Sequence, residues 1–251
     1  MLQYCFAPLK PEYETIVVSP TELEKTLNPT PDFMKQDDLK KRACTFWMGN
    51  IVESIAWERV QHWKEASYSL CTLWRKYMNP WLMEFYSWKD ERLDKQFLWV
   101  YEGLEKISDL FEPYENLWGY NLRSQNSLAL LSCSWYQVIL KGELDWGLVD
   151  WSACLLYDCK TAKQRWRDDK IITCYQYKFY PFLQMLANPE LDEATFTYLV
   201  VIKNKTPQLQ ELQFTVSRDE CIAFVREVLK EYLTKLHKGE IVKSDWALDR
   251  L

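Results

Sequence analysis

The chain has 251 residues, with 48% hydrophobic, 16% aromatic and 27% charged positions, a globular balance that excludes disordered and fibrous architectures. Its 31 Lys and Arg against 36 Asp and Glu leave a formal charge of −5, so nucleic acid is not drawn in by a global positive field and would need a local basic patch. The longest apolar stretch, Leu128 to Leu140, is interrupted by Ser132, Ser134 and Gln137 and falls short of the roughly 18 residues of a membrane span, so no membrane association is expected.

The opening MLQYCFAPLKPEYE has no basic lead into an apolar core and small-residue cleavage site, which points to a cytoplasmic protein, or one in a host cytoplasm if viral. Thr15 to Val18 is a short β-type run. Ser19-Pro20-Thr21-Glu22 then starts a helix, with Ser as N-cap, Pro in the first helical position and Glu three residues after the cap, and the helix should run through Leu27. Pro29 and Pro31 break it, and Asp37 to Arg42 is a solvated charge run. From Ala43 to about Leu110 apolar residues recur every three or four positions, as in Leu70, Leu73, Trp74, Tyr77 and in Phe97, Val100, Leu104, Ile107, which marks a helical block.

Pro113 to Gln125 reads as a connector, and from Leu128 the pattern becomes β-type. Ser134–Leu140, Leu144–Val149 and Cys154–Lys160 are expected as three neighbouring antiparallel strands, followed by a helical stretch over 164–187 and strands at Thr195–Ile202 and Leu212–Val216. The last helix is the most strongly marked: Ser217 and Glu220 form a capping box, Ile222, Val225, Val228, Leu229, Tyr232 and Leu236 make one stripe, and Gly239 ends it. The fold class is therefore α/β, a central mixed sheet flanked by helices, in a single domain whose helical insertion covers about 43–112 and whose core covers about 128–217.

The segment that carries chemistry is GELDWGLVDWSACLLYDCK, Gly142 to Lys160. On a strand, side chains alternate, so Asp145 and Gly147 should share one face while Leu144, Trp146 and Leu148 share the other, and Asp158 and Lys160 should project together with Tyr157 and Cys159 opposite. The thirteen-residue offset between Asp145 and Asp158 suits a hairpin that sets both carboxylates side by side. Neighbouring carboxylates repel unless a cation lies between them, and hard oxygen ligands with a lysine nearby suit Mg²⁺ or Mn²⁺ held jointly with a phosphate substrate. From spacing alone, a plain hairpin with surface Asp and Lys accounts for the pattern about as well.

Gly142-x-x-Asp145, then Asp158-x-Lys160-Thr161, then Gln176-x-x-x-Tyr180 resembles the motif series of the PD-(D/E)XK nuclease superfamily, in its RecB-like exonuclease branch. VVSPTELEK (Val17 to Lys25) resembles the branch's opening helix and GNIVES (Gly49 to Ser54) its first motif, with Glu53 where the branch often has His. The resemblance implies a restriction-endonuclease-like core and a Mg²⁺- or Mn²⁺-dependent DNA exonuclease working in recombination, repair or replication, with a helicase or annealing protein as a partner. The alternatives are an endonuclease of the same superfamily and a non-catalytic scaffold on the same fold.

By the same resemblance, Glu53, Asp145, Asp158 and the backbone carbonyl of Cys159 are metal ligands. Lys160 is the catalytic lysine, and Gln176 and Tyr180, four apart on one helix face, position it. His62, one turn from Glu58, is the alternative to Glu53. Some members of the branch carry an iron–sulfur cluster, for which three late cysteines are needed; after Cys174 only Cys221 remains, so no cluster is expected. Arg165, Trp166 and Arg167, with Lys178, concentrate positive charge beside the carboxylates and are candidates for DNA contact, Trp166 by stacking on a base. Lys203 and Lys205 lie in a turn, where a polar hairpin tip and a contact to a nucleic-acid strand fit equally.

Overall fold

Strand β4, Tyr136–Val149, runs 14 residues through the middle of a seven-stranded mixed sheet and organises everything around it. The computed structural model describes residues 3–4, 14–28, 49, 52–53, 55–56, 104–114, 123–133, 136–149 and 152–241. In chain order these form β1 (Gln3–Tyr4), β2 (Glu14–Val18), α1 (Pro20–Leu27), α2 (Leu104–Asp109), β3 (Arg123–Cys133), β4, β5 (Cys154–Ala162), α3 (Asp168–Thr173), α4 (Gln176–Ala187), β6 (Glu193–Ile202), β7 (Gln208–Ser217) and α5 (Arg218–His237), with further helical residues at Gly49, Val52, Glu53, Ile55 and Ala56.

The strand order is β1-β3-β4-β5-β6-β7, and β2 also pairs with β4. One edge of β4 carries β3, antiparallel, from Cys133↔Tyr136 to Arg123↔Gly147. The other edge is divided. Parallel β2 takes Tyr136 to Leu140, and antiparallel β5 takes Trp146 to Val149. Strand β5 then runs parallel to β6, and β6 pairs antiparallel with β7.

Helices cover both faces, because the strands are apolar on both. On one face Val138, Leu140, Leu144, Leu156, Phe196, Tyr198 and Val200 pack under α1, α4 and α5. On the other, Trp146, Leu148, Cys159, Leu199 and Val201 pack with Val52, Ile55, Ala56, Ile107, Phe111 and Tyr114. The expected α/β class, a mixed sheet flanked by helices, is what the chain adopts.

Both capped helices form as the sequence dictates. The Ser19 hydroxyl accepts from the Glu22 N–H at 3.2 Å with Pro20 opening α1. Ser217 and Glu220 complete their reciprocal box, and Gly239, at φ 70, follows α5 in the left-handed conformation glycine tolerates. Elsewhere the boundaries differ. The expected strands 134–140 and 144–149 are parts of one, since Gly142 sits inside β4 rather than in a turn. The connector reading of Pro113 to Gln125 gives way at Arg123, where β3 begins. The stretch 164–187 splits into α3 and α4, with Lys163 to Arg167 irregular. Of the helical block, most lies outside the described residues, as do His62 and the Asp37–Arg42 charge run. Among the described residues no helix is long and apolar enough to cross a membrane, and Cys154, Cys159, Cys174 and Cys221 are buried free thiols.

Candidate active site

The divided edge of β4 creates the site. The ladder to β2 ends at Leu140 and the ladder to β5 starts at Trp146, so Gly142 to Asp145 lie in a fork between the two. A β-bulge falls within it: Gln125 faces Leu144 and Arg123 faces Gly147, so three residue steps of β4 match two of β3. An extra residue inverts the alternation downstream. Leu144 consequently packs under α4 while Trp146 packs on the opposite face, correcting the expectation that Leu144, Trp146 and Leu148 share one side. The bulge puts Asp145 at the turnover point.

The register Trp146↔Tyr157 brings Asp145 opposite Asp158 one step further, as the hairpin offset implied. Instead of a ladder bond, the Cys159 N–H donates to Asp145 Oδ2 at 2.7 Å. Leu156 packs on the α4 face and Tyr157 and Cys159 on the other, so Asp158 and Lys160 point together as expected. Asp158 is 1% exposed and ion-paired with the Lys160 ammonium.

Electrostatics tie four groups together. Burial pushes the Asp145 carboxyl up to about 8, with the negative charges of Asp158 and Glu53 adding to it and Lys160 opposing. Burial also raises Asp158, against the pull of Lys160. Glu53 is raised by burial, lowered by Lys160 and raised by Asp158 and Glu143. Burial opposes the charge of Lys160, but Asp158 and Asp145 outweigh it and hold the ammonium above its ordinary range. Glu53 therefore lies within electrostatic reach of Asp145, Asp158 and Lys160.

Gly142 lets a flanking helix approach. A Cβ on Gly142 would stand 2.5 Å from Leu183 Cδ1 and 3.1 Å from the Tyr180 ring, so α4 crosses β4 here only because the side chain is missing. On the other face a Cβ on Gly49 would meet Thr161 Oγ1 at 3.4 Å, an ordinary van der Waals contact, and Glu53 follows four residues later. Along α4, Gln176 Nε2 donates to the Tyr180 hydroxyl at 3.0 Å. The charges of Asp158 and Lys160 act on Tyr180, whose hydroxyl is raised by burial, so the pair faces the lysine.

The candidate DNA contacts fare unevenly. Arg165 and Arg167 are exposed on the segment leaving β5. Trp166 is committed to the protein: its ring packs 5.3 Å from Tyr198, Lys170 Nζ stands 4.4 Å over it, and its N–H and C=O both bond the Gln210 amide. A base stack there is blocked by packing. Lys178, two residues from Gln176, turns away from the carboxylates, with its ammonium 4.9 Å from the Phe224 ring on α5.

One participant was missed by sequence reasoning. Glu24 Oε2 accepts from the Tyr175 N–H at 3.2 Å, just before α4, and its carboxyl, raised by burial, feels Lys160 and Lys170. The signal was present, because Pro20, Leu23 and Leu27 are the buried stripe of α1 and Glu24 occupies the adjoining i+4 position of that stripe.

Glu53, Asp145 and Asp158 are hard oxygen donors with one lysine among them, a charge balance that suits a divalent cation. Yet among the described residues no three His, Cys, Asp or Glu side chains are gathered as a metal cage. Asp158 is paired with Lys160 and one Asp145 oxygen is held by Cys159. The donor chemistry fits, while the carboxylates are engaged by the protein itself.

No protein-family model and no curated protein sequence matches the chain. Among solved structures it is similar to SSO0001, at 12% identity and a TM-score of 0.36 over 91% of this chain and 79% of that one. It is also similar to Scheffersomyces stipitis Rai1 in complex with (3'-NADP)+ and calcium ion, at 12% identity and 0.33 over 94% of this chain. Candida albicans Rai1 in complex with pU5-Mn2+ aligns at 10% identity and 0.29 over 84% of this chain. The chain spans 63% and 54% of the two Rai1 chains. At such TM-scores these overlaps add nothing to the fold and site described above.

Proposed function

We propose that the chain is a divalent-metal-dependent phosphodiesterase acting on DNA, an exonuclease of the PD-(D/E)XK superfamily in its RecB-like branch. The observation that carries this reading is the convergence, in one fork of the sheet, of Asp145, Asp158 and Lys160 with Glu53 on one side and the bonded Gln176–Tyr180 pair on the other. Residues up to 127 positions apart in the sequence (53 to 180) feel the same Asp158 and Lys160 charges, which supports this reading.

Glu53, Asp145, Asp158 and the Cys159 carbonyl would hold Mg²⁺ or Mn²⁺, which when bound supplies a water of lowered pKa and neutralises charge on the phosphate. The chain's own residues do the rest. Asp145 and Asp158 exclude other anions from the fork, so phosphate enters only with a cation. Lys160, ion-paired with Asp158, orients or deprotonates the attacking water and stabilises the developing negative charge. The Gln176–Tyr180 pair would position the lysine, as the resemblance implies.

Incubating purified protein with end-labelled linear DNA, matched closed circular DNA and RNA, each with Mg²⁺, Mn²⁺ or EDTA, tests this. Degradation of linear DNA alone, dependent on metal and abolished in Lys160→Ala, is the expected result. Cutting of the circle makes it an endonuclease of the same chemistry. Survival of every substrate in every metal, with folded protein, overturns the proposal.

A further inference from the structure

Lys203 is only 5% exposed, yet no hydrogen bond or ion pair of its ammonium is present among the described residues. Its backbone N–H donates to the Ala162 carbonyl at 2.8 Å, which extends the parallel β5–β6 ladder by one step and sets Lys203 beside Lys163. The nearest charge acting on it is that lysine, which repels it. Following Leu199 and Val201, the period of two places Lys203 on the face where Gly49 approaches Thr161 and Glu53 lies. A largely buried lysine with no counter-charge among the described residues is unfavourable, and a methionine would fill the same space without that penalty. Two adjacent cations stand at the C-terminal ends of parallel strands, where α/β sheets receive ligands.

We infer that Lys203, with Lys163 beside it, is a backbone-phosphate contact for the nucleic-acid strand whose scissile bond lies at Lys160. This rests on the proposed function and adds a binding contact to it. Lys163 immediately follows Ala162, the last residue of β5, three positions beyond Lys160. The contacted phosphate is therefore one outside the reacting group. The contact reads charge and not sequence.

The test uses the full chain with a dye-labelled oligonucleotide. Binding is measured by anisotropy in EDTA across a salt series, and KM by cleavage in Mn²⁺, for the native protein, Lys203→Met and Lys203→Arg. Expected for Lys203→Met is a five- to tenfold weaker affinity, a log K against log salt slope shallower by about one, and a KM raised by the same factor, while Lys203→Arg stays within about twofold. Thermal unfolding of the same samples shows that Lys203→Met is folded. If the native protein cleaves and Lys203→Met matches it in slope and KM, the inference is overturned and the proposed function stands. If the native protein neither binds nor cleaves, the proposed function falls and this contact with it.

Discussion

Burial pulls the Lys203 ammonium down from 10.5 to about 8, with Lys163 adding to the effect. Folding therefore takes a charged lysine out of water at neutral pH, and the sign of the pH dependence follows. Below about 8 both folded and unfolded chains hold the proton, and the full penalty applies. Between about 8 and 10.5 the unfolded chain holds more protons, so native stability rises with pH as the penalty fades. A difference of about 2.5 pK units corresponds to about 3 kcal/mol at ~1.4 kcal/mol per unit. Lys203→Met is thus expected to be more stable than the native protein at about pH 7, by at most that amount, with the gain shrinking when melting is repeated near pH 9.5; equal melting temperatures at both values contradict it. A residue that lowers stability and can be replaced without one is the pattern left by a binding role. Gly142 is the opposite case. Gly142→Ala would drive a methyl to 2.5 Å from Leu183 and displace α4 with Tyr180. We expect a loss of about 1–3 kcal/mol from overpacking in thermal melts, and cleavage reduced by more than the stability loss explains. Asp158 and Lys160 were legible in the sequence because period-two alternation is local. Lys203 was not, since its burial depends on packing from elsewhere in the chain.

Helix α4 carries the groups facing Lys160, and both its ends are tied by side chains from other elements. At its start, Glu24 of α1 accepts from the Tyr175 N–H, and Asn28 Nδ2 donates to the Tyr175 hydroxyl at 3.1 Å. At its end, Arg218 of α5 donates to the carbonyls of Met185 at 2.9 Å, Asn188 at 3.1 Å, Pro189 at 2.9 Å and Leu191, and pairs with Asp192. A guanidinium fork suits several carbonyls at a helix C-terminus, where the dipole also favours a cation. Arg218→Ala leaves those carbonyls to one another and is expected to destabilise the protein by about 2–4 kcal/mol in denaturant unfolding, and Arg218→Lys to recover less than half, because an ammonium cannot span them all. Most elements were readable because their signals are short-range: Ser19 and Ser217 caps, the stripe of α5, the alternation of β5 and β6. What escaped was long-range. Strand β4 is continuous through Gly142 because α4 needs a residue without a Cβ there, a requirement invisible from a glycine between two apolar runs. The bulge that re-aims Asp145 comes from the pairing with β3, and no local pattern encodes that register.

Across the whole molecule the charge is −5, so a nucleic-acid substrate is repelled at long range and admitted only where cations gather. Arg165 and Arg167 are exposed on the segment leaving β5 and Lys163 and Lys203 stand at the strand ends, which localises the attraction to one sheet end. The remaining obstacle is the fork, where Glu53, Asp145 and Asp158 oppose one another against a single Lys160. That repulsion is present in the folded chain and much weaker in the unfolded one, so a cation that enters the fork binds the native state preferentially. Such a ligand stabilises by RT ln(1 + [L]/Kd), about 2.7 kcal/mol at a hundredfold excess over Kd. Mn²⁺ and Mg²⁺ are therefore expected to raise the melting temperature of the native protein in the absence of any substrate, and EDTA to reverse it. Asp145→Asn relieves the repulsion while its amide oxygen still accepts from the Cys159 N–H, so above about pH 8, where the Asp145 carboxyl is ionised, this variant should melt higher than the native protein without metal and respond weakly when metal is added. Lys160→Ala separates charge from ligation. It removes the one internal cation, so its metal-free form should melt lower and its response to Mn²⁺ should be larger than the native one, even though it cleaves nothing. If Mn²⁺ shifts all three proteins equally, the ion binds outside the fork and the carboxylates serve another purpose.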